Sequence, residues 1–238
     1  MPIPRHDIVC TEKKLIAKDT YQLRFARPDG WTFKTGQFVL LDVPRLDNPA
    51  DVQTRAYSIG SGPDEQDILL AVKLKAGGRS STWIERVVAE GTHATMQGPF
   101  GNFTLPETSH KPYLFLATGA GIAPFRAQIR ELLQRDESCA IDLVFGVRTR
   151  EELFWIDEFE ALAKRHGRFS LHVTLTRGDD GWTGHRGRVQ AVGPLVADDL
   201  AERVVYACGN PDMTKDVKPL ALGDWGIPKQ DLHIEGFI

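Results

Sequence analysis

Near residue 100 the spacing of apolar residues changes, and that change dictates two differently built halves. Before Gly98-Pro99-Phe100-Gly101 the apolar residues fall in short runs at 6–16, 20–25, 37–43, 56–59, 68–74 and 92–96. Turn signals separate these runs, among them Pro28-Asp29-Gly30, Gly60-Ser61-Gly62-Pro63 and Gly77-Gly78. One helix is predicted over 81–88, where Trp83, Ile84, Val87 and Val88 recur at helical spacing. Short strands with a single helix predict a closed antiparallel barrel. After residue 101, continuous apolar strands at 113–117, 141–145, 171–175 and 204–208 alternate with helical stretches at 125–134, 151–166, 189–200 and 212–220. Strands apolar on both faces and joined through helices form a parallel sheet by right-handed crossovers. The boundary is predicted within the polar segment 106–112, giving domains of 1–106 and 107–238.

The 238 residues suffice for two small domains. With 42% apolar and 26% charged residues the chain is not expected to be disordered or fibrous. A net charge of −3 without a basic run speaks against nucleic acid as a partner. No apolar run approaches the ~20 residues of a membrane span. The start, Met1 to Asp7, lacks the apolar core of a signal peptide. Cys10, Cys139 and Cys208 lie far apart, with neither a CxxC pair nor zinc or iron–sulfur spacing, and the histidines show no HExxH, so no metal is expected. An odd cysteine count without a secretory signal predicts a reducing, cytoplasmic setting.

Five constellations carry chemistry. In Arg55-Ala56-Tyr57-Ser58, strand alternation puts Arg55 and Tyr57 on one face. A guanidinium fork suits a phosphate and a tyrosine ring a planar ligand, although an ordinary half-buried strand would read the same way. Gly77-Gly78-Arg79-Ser80-Ser81-Thr82 opens a helix, either as an anion cradle or as a glycine turn with a Ser/Thr cap. Thr118-Gly119-Ala120-Gly121-Ile122-Ala123-Pro124 joins a strand to a helix, the context of a dinucleotide site, with proline where the third glycine is usual. The later strand ends carry Arg148, Thr176-Arg177, Arg186 and Arg188 and no acidic residue at the end of the second strand, where Asp142 comes too early. That set suits an adenosine 2′-phosphate. Finally, Cys208-Gly209-Asn210-Pro211-Asp212-Met213 lies at a strand's carboxyl end, where open α/β sheets bind ligands.

In their order these motifs resemble the ferredoxin–NADP⁺ reductase superfamily over nearly the whole chain. The matching residues are Arg55-x-Tyr57-Ser58, Gly78-x-x-Ser81, Gly98-Pro99-Phe100-Gly101-Asn102-Phe103, Thr118-Gly119-x-Gly121-x-x-Pro124 and Cys208-Gly209-x-Pro211-x-Met213. The resemblance implies an antiparallel Greek-key β-barrel flavin domain followed by an α/β parallel-sheet domain for NADP(H), and FAD rather than FMN. It implies that Arg55 meets the flavin pyrophosphate, Tyr57 lies against the isoalloxazine and Ser58 sits near flavin N5. Ala56, Lys73, Gly78, Ser80, Ser81 and Thr82 would complete the flavin contacts. Thr118, Gly119, Gly121 and Pro124 would hold the NADP(H) pyrophosphate, while Thr176 and Arg177, with Arg148 and Arg188, would take the 2′-phosphate. Cys208 and Gly209 would face the nicotinamide. Ile234-Glu235-Gly236-Phe237 resembles the family's acidic-x-aromatic ending, in which the ring of Phe237 would cover the flavin, and here Ile238 follows it.

The implied activity is hydride exchange between NADPH and bound FAD, with single electrons passed to or from ferredoxin or flavodoxin. Ser58, Cys208 and Glu235 would tune and position the reacting groups. The absence of an iron–sulfur cysteine set predicts an acceptor on another molecule. A reductase component serving an oxygenase, or a reductase of free flavin or ferric complexes, is the alternative, and a non-catalytic flavin module is a different class. Lys13, Lys14, Arg79 and Lys111 are the basic residues that could face an acidic carrier.

Overall fold

The computed structural model describes residues 3–135 and 138–237, so Met1, Pro2 and Ile238 of the terminal motifs lie outside the described residues. The chain divides into two compact units, one of Met1–Leu105 with Arg126–Glu131 and one of Pro106–Phe125 with Leu132–Ile238.

The first unit is a six-stranded antiparallel sheet of β1 (Arg5–Ala17), β2 (Thr20–Ala26), β3 (Phe38–Pro44), β4 (Val52–Ser58), β5 (Asp67–Lys73) and β6 (His93–Phe100). The strands run β4-β3-β6-β1-β2-β5. Alternate residues, including Leu23 and Phe25, Val39, Leu41 and Val43, and Ile68, Leu70 and Val72, fill one core. The inner faces of β2, β3 and β5 thus meet as strand alternation requires. The helix α1 (Arg79–Arg86) closes that core with Trp83 and Ile84. Val87, expected on the helix's apolar face, lies beyond its end and is exposed. Strand β4 begins four residues before the expected run, because Val52 to Arg55 are largely exposed and owe their conformation to pairing with β3.

The second unit is a six-stranded sheet ordered β10-β9-β8-β7-β11-β12, with every pair parallel. Its strands are β7 (Tyr113–Thr118), β8 (Ile141–Val147), β9 (Phe169–Leu175), β10 (His185–Arg186), β11 (Val204–Gly209) and β12 (Leu232–Gly236). The helices are α2 (Ile122–Gln134), α3 (Ile156–Arg165), α4 (Val189–Val196) and α5 (Pro211–Leu222). The stretch expected as one helix over 151–166 is broken. A 3₁₀ turn spans Arg150–Glu152 and Trp155 sits at φ 58°, a left-handed conformation that no helix continues through. Likewise α4 stops at Val196 rather than 200, and Asp199 turns the chain at φ 47°.

Candidate functional site

In the first unit the register pairs Tyr57 with Val39 and Arg55 with Leu41, so both side chains share the inward face of β4. Tyr57 packs on the core with its hydroxyl buried, and Ser80 is its hydrogen-bonding side-chain neighbour among the described residues. Burial raises the phenol above its usual range, opposed by Ser80 and the Arg55 charge. Arg55 rests on the Gln53 side chain and the Thr54 carbonyl, contacts to flexible neighbours that a phosphate can displace. Ser58 is buried at the strand end and Ala56 is exposed.

The N-cap of α1 is Gly78, and no side chain caps it. The hydroxyls that could have done so are engaged elsewhere. Ser81 Oγ accepts from the Lys75 N–H at 2.7 Å, and Thr82 Oγ1 donates to the Gly78 carbonyl at 3.1 Å. The first N–H groups of α1 therefore lack a side-chain acceptor, which is the donor set a diphosphate needs. Lys73 donates to the Lys18 carbonyl. Asp51, which the sequence did not single out, holds Arg79 through two bonds of 2.9 and 3.1 Å and thereby fixes the start of α1. These residues fit a flavin dinucleotide, the uncapped start of α1 offering donors to its diphosphate and the Tyr57 ring a flat face.

In the second unit the strand order reverses direction at β7, between β8 and β11, and the loop after β7 leaves from that switch point. Residues Gly119–Gly121 form a 3₁₀ turn leading into α2, with Pro124 in its first turn, where a missing N–H costs nothing. Gly119 has φ 53° with open space where a Cβ would stand. A Cβ on Gly121 would lie 2.2 Å from the Cys208 carbonyl, so close packing of the turn on β11 requires glycine there. Thr118 Oγ1 accepts from the Asn210 N–H, and Asn210 in turn caps α5 through the Asp212 N–H at 2.8 Å. The Asn-Pro-Asp run carries that cap in the sequence, since asparagine before a helix-starting proline is an N-cap signal.

Register places Cys208 between Ala117 of β7 and Glu235 of β12, and the Phe237 N–H donates to the Gly209 carbonyl at 2.8 Å. Thr118, Gly119, Cys208, Gly209, Glu235 and Phe237 are thus gathered at one carboxyl edge. Burial pushes the Cys208 thiol well up, and the Glu235 charge pushes it further, so it is held as a neutral thiol. At the other end of the same edge, Thr176 and Arg177 are exposed after β9. Arg148 pairs with Glu152 at 3.1 Å and Arg188 with Asp216 at 3.0 Å. The Arg177 guanidinium has no partner among the described residues. Asp142 lies at the opposite edge, paired with Arg203 at 2.7 Å, and so belongs to the core.

Of the basic residues considered for an acidic carrier, three are engaged within their own units. Lys13 caps the end of α1, Arg79 holds Asp51, and Lys111 pairs with Asp231 at 2.9 Å.

Residues 7–105 match an oxidoreductase FAD-binding domain and residues 115–219 an oxidoreductase NAD-binding domain. The chain is 36% identical over 225 residues to ferredoxin–NADP reductase B of Sorangium cellulosum, covering 91% of each chain. The chain belongs to the ferredoxin–NADP reductase superfamily. This reductase is also 28% identical to the glycine betaine monooxygenase reductase subunit of Chromohalobacter salexigens, with 98% of its length spanning 64% of that protein. Its fold matches the Amycolatopsis cytochrome P450 reductase GcoB at a TM-score of 0.89 and 26% identity, covering 99% of this chain and 71% of that one. The reductase is an FAD-dependent NAD(P)H oxidoreductase with the two-domain fold of its family. No helix among its described residues is long and apolar enough to cross a membrane.

Proposed function

We propose that this cytoplasmic reductase exchanges hydride between NADPH and FAD and passes single electrons to or from a separate ferredoxin or flavodoxin. Bound FAD supplies the conversion between two-electron and one-electron transfer. The protein's own part is to bind, orient and exclude water. Residues 1–106 hold the flavin: Arg55 and the uncapped start of α1 take its diphosphate, and Tyr57 lies against its ring. Residues 107–238 hold NADPH: the Gly119–Gly121 turn takes the diphosphate, and Cys208, Gly209 and Glu235 line the nicotinamide end. Ser58 and the neutral Cys208 thiol position the reacting groups without acting as acid or base, because hydride transfer itself moves no separate proton. Phe237 shields the flavin ring.

The observation that carries the NADPH reading is Arg177, an exposed guanidinium at a strand's carboxyl edge with no partner among the described residues, beside Thr176. Arg148 and Arg188 are in exposed ion pairs, which are weak and readily re-formed around a ligand. One or two charge-assisted bonds of about 1.5–3 kcal/mol each favour NADPH over NADH by about tenfold to 100-fold or more. Anaerobic titration of the flavin absorbance with each nucleotide tests this. NADPH should bleach the flavin at far lower concentration, and Arg177→Ala should reduce the preference by about tenfold. Equal bleaching by both nucleotides in the unmodified protein would sink the assignment.

The likeness to a ferredoxin–NADP reductase over 91% of both chains supports a small carrier protein as acceptor. The likeness to oxygenase reductase subunits favours a second reading, in which an oxygenase component takes the electrons. Turnover with purified ferredoxin and flavodoxin, against oxygenase components lacking their own reductase, separates the two.

A further inference from the structure

Between β9 and α4 the chain makes an excursion that has almost no apolar core of its own and is held together by its polar side chains. Arg186 reaches back across the loop and donates to three carbonyls, those of Gly178 at 2.8 Å, Asp179 at 2.7 Å and Trp182 at 3.3 Å. Arg150, from the turn after β8, forks onto the Asp179 carboxylate at 3.0 and 3.1 Å and lies 5.1 Å over the Trp182 ring. The Trp182 indole N–H donates to the His185 carbonyl at 2.7 Å. Glycine is needed where the ring packs, since a Cβ on Gly184 would stand 2.5 Å from the indole. The base of the loop is stitched by the Arg177 N–H on the Arg148 carbonyl and the Gly187 N–H on the Leu175 carbonyl. The Arg177 side chain, by contrast, has no partner among the described residues.

We propose that Arg186, with the Arg150–Asp179–Trp182 stack, is a positioning clasp that holds Thr176 and Arg177 for the 2′-phosphate and so sets the nucleotide preference. The inference rests on the NADPH reading above. Its physical basis is preorganisation: an exposed arginine on a slack loop gives up much of its binding free energy to ordering, whereas one on a closed loop does not. Arg186 suits the role because its planar fork meets carbonyls at fixed angles, which lysine cannot reproduce. Its charge meets no carboxylate in the loop and adds positive potential beside Arg177.

Calorimetric titration of the FAD-loaded reductase with adenosine 2′-phosphate and, separately, adenosine 5′-phosphate reads the clasp without turnover. Arg186→Ala is expected to weaken the 2′-phosphate nucleotide by about tenfold and to leave the 5′ isomer within about twofold. In an Arg177→Ala background the same change should add less than about twofold, because Arg186 acts through Arg177. Trp182→Phe keeps an aromatic ring under Arg150 and removes the indole N–H together with part of the ring's bulk. It is a gentler test should Arg186→Ala fold poorly, with an expected loss of about threefold confined to the 2′ isomer. Equal weakening of both isomers, or full additivity in the double variant, overturns the clasp while leaving Arg177 assigned. An Arg177→Ala variant with unchanged affinity for the 2′ isomer overturns the NADPH reading itself, and the clasp with it.

Discussion

At the scale of single residues, the chemistry of the three cysteines is decided by burial rather than by type. Cys208 and Cys10 are buried, and burial raises both thiols, with the Glu235 charge adding to it for Cys208 and a backbone hydrogen bond at Glu12 opposing it for Cys10. Cys139 is half-exposed. In native protein at neutral pH a disulfide-exchange reagent should therefore titrate Cys139 alone, and all three thiols only after denaturation. Rapid labelling of Cys208 in the native state would contradict its place between Ala117 and Glu235. The sequence located Cys208 correctly at a strand end, but how deeply it is buried was not legible, because the two strands of distant sequence that flank it, β7 and β12, decide that. Arg55, Tyr57 and Gly121 were legible through local rules of alternation and turn chemistry. Asp51 was not, since its link to Arg79 joins residues 28 positions apart with no shared pattern.

At the scale of elements, short segments depend on partners that a linear pattern does not display. Helix α1 has eight residues, too few to be stable alone. It is held by Trp83 and Ile84 in the core and by Lys13, whose ammonium donates to the Ile84 carbonyl at 2.5 Å and the Val88 carbonyl at 2.9 Å. Lys13→Ala should cost about 1–2 kcal/mol, read as a lower urea midpoint at unchanged slope, with faster loss of FAD on gel filtration. An unchanged midpoint would mean that core packing alone holds the helix. The same dependence explains what the apolar pattern missed. Strands β10 and β12 are short and only partly buried, so they lack the continuous apolar run that marks β7, β8 and β11. The left-handed turns at Trp155 and Asp199 cut two helices whose side-chain spacing ran on past them.

For the whole molecule, one buried electrostatic commitment outside the site is Asp142, held by Arg203 at 2.7 Å and His172 at 3.2 Å. Burial alone would raise its carboxyl, but His172 and Arg203 together outweigh that and hold it below the ordinary value of 3.8. A carboxylate depressed in the folded state stabilises it fully above its unfolded value, and that contribution is lost as pH falls through the folded value. Stability should thus fall on acidification below about pH 4. Asp142→Asn should remove part of that acid limb and cost about 3 kcal/mol or more at neutral pH, because Arg203 stays buried without its counter-charge. Urea midpoints measured from pH 3 to pH 7 check both effects. An acid limb identical in the variant would assign the acid sensitivity to other carboxylates. By itself the sequence determined the two-part architecture, the strand–helix alternation and the positions of the glycine turns, because periodicity and turn chemistry act between near neighbours. Only the tertiary structure decided that Arg177 has no partner among the described residues, which hydroxyls are already engaged and which thiols are buried. Those outcomes depend on groups brought together by sheet register and crossover, across separations that no local pattern records.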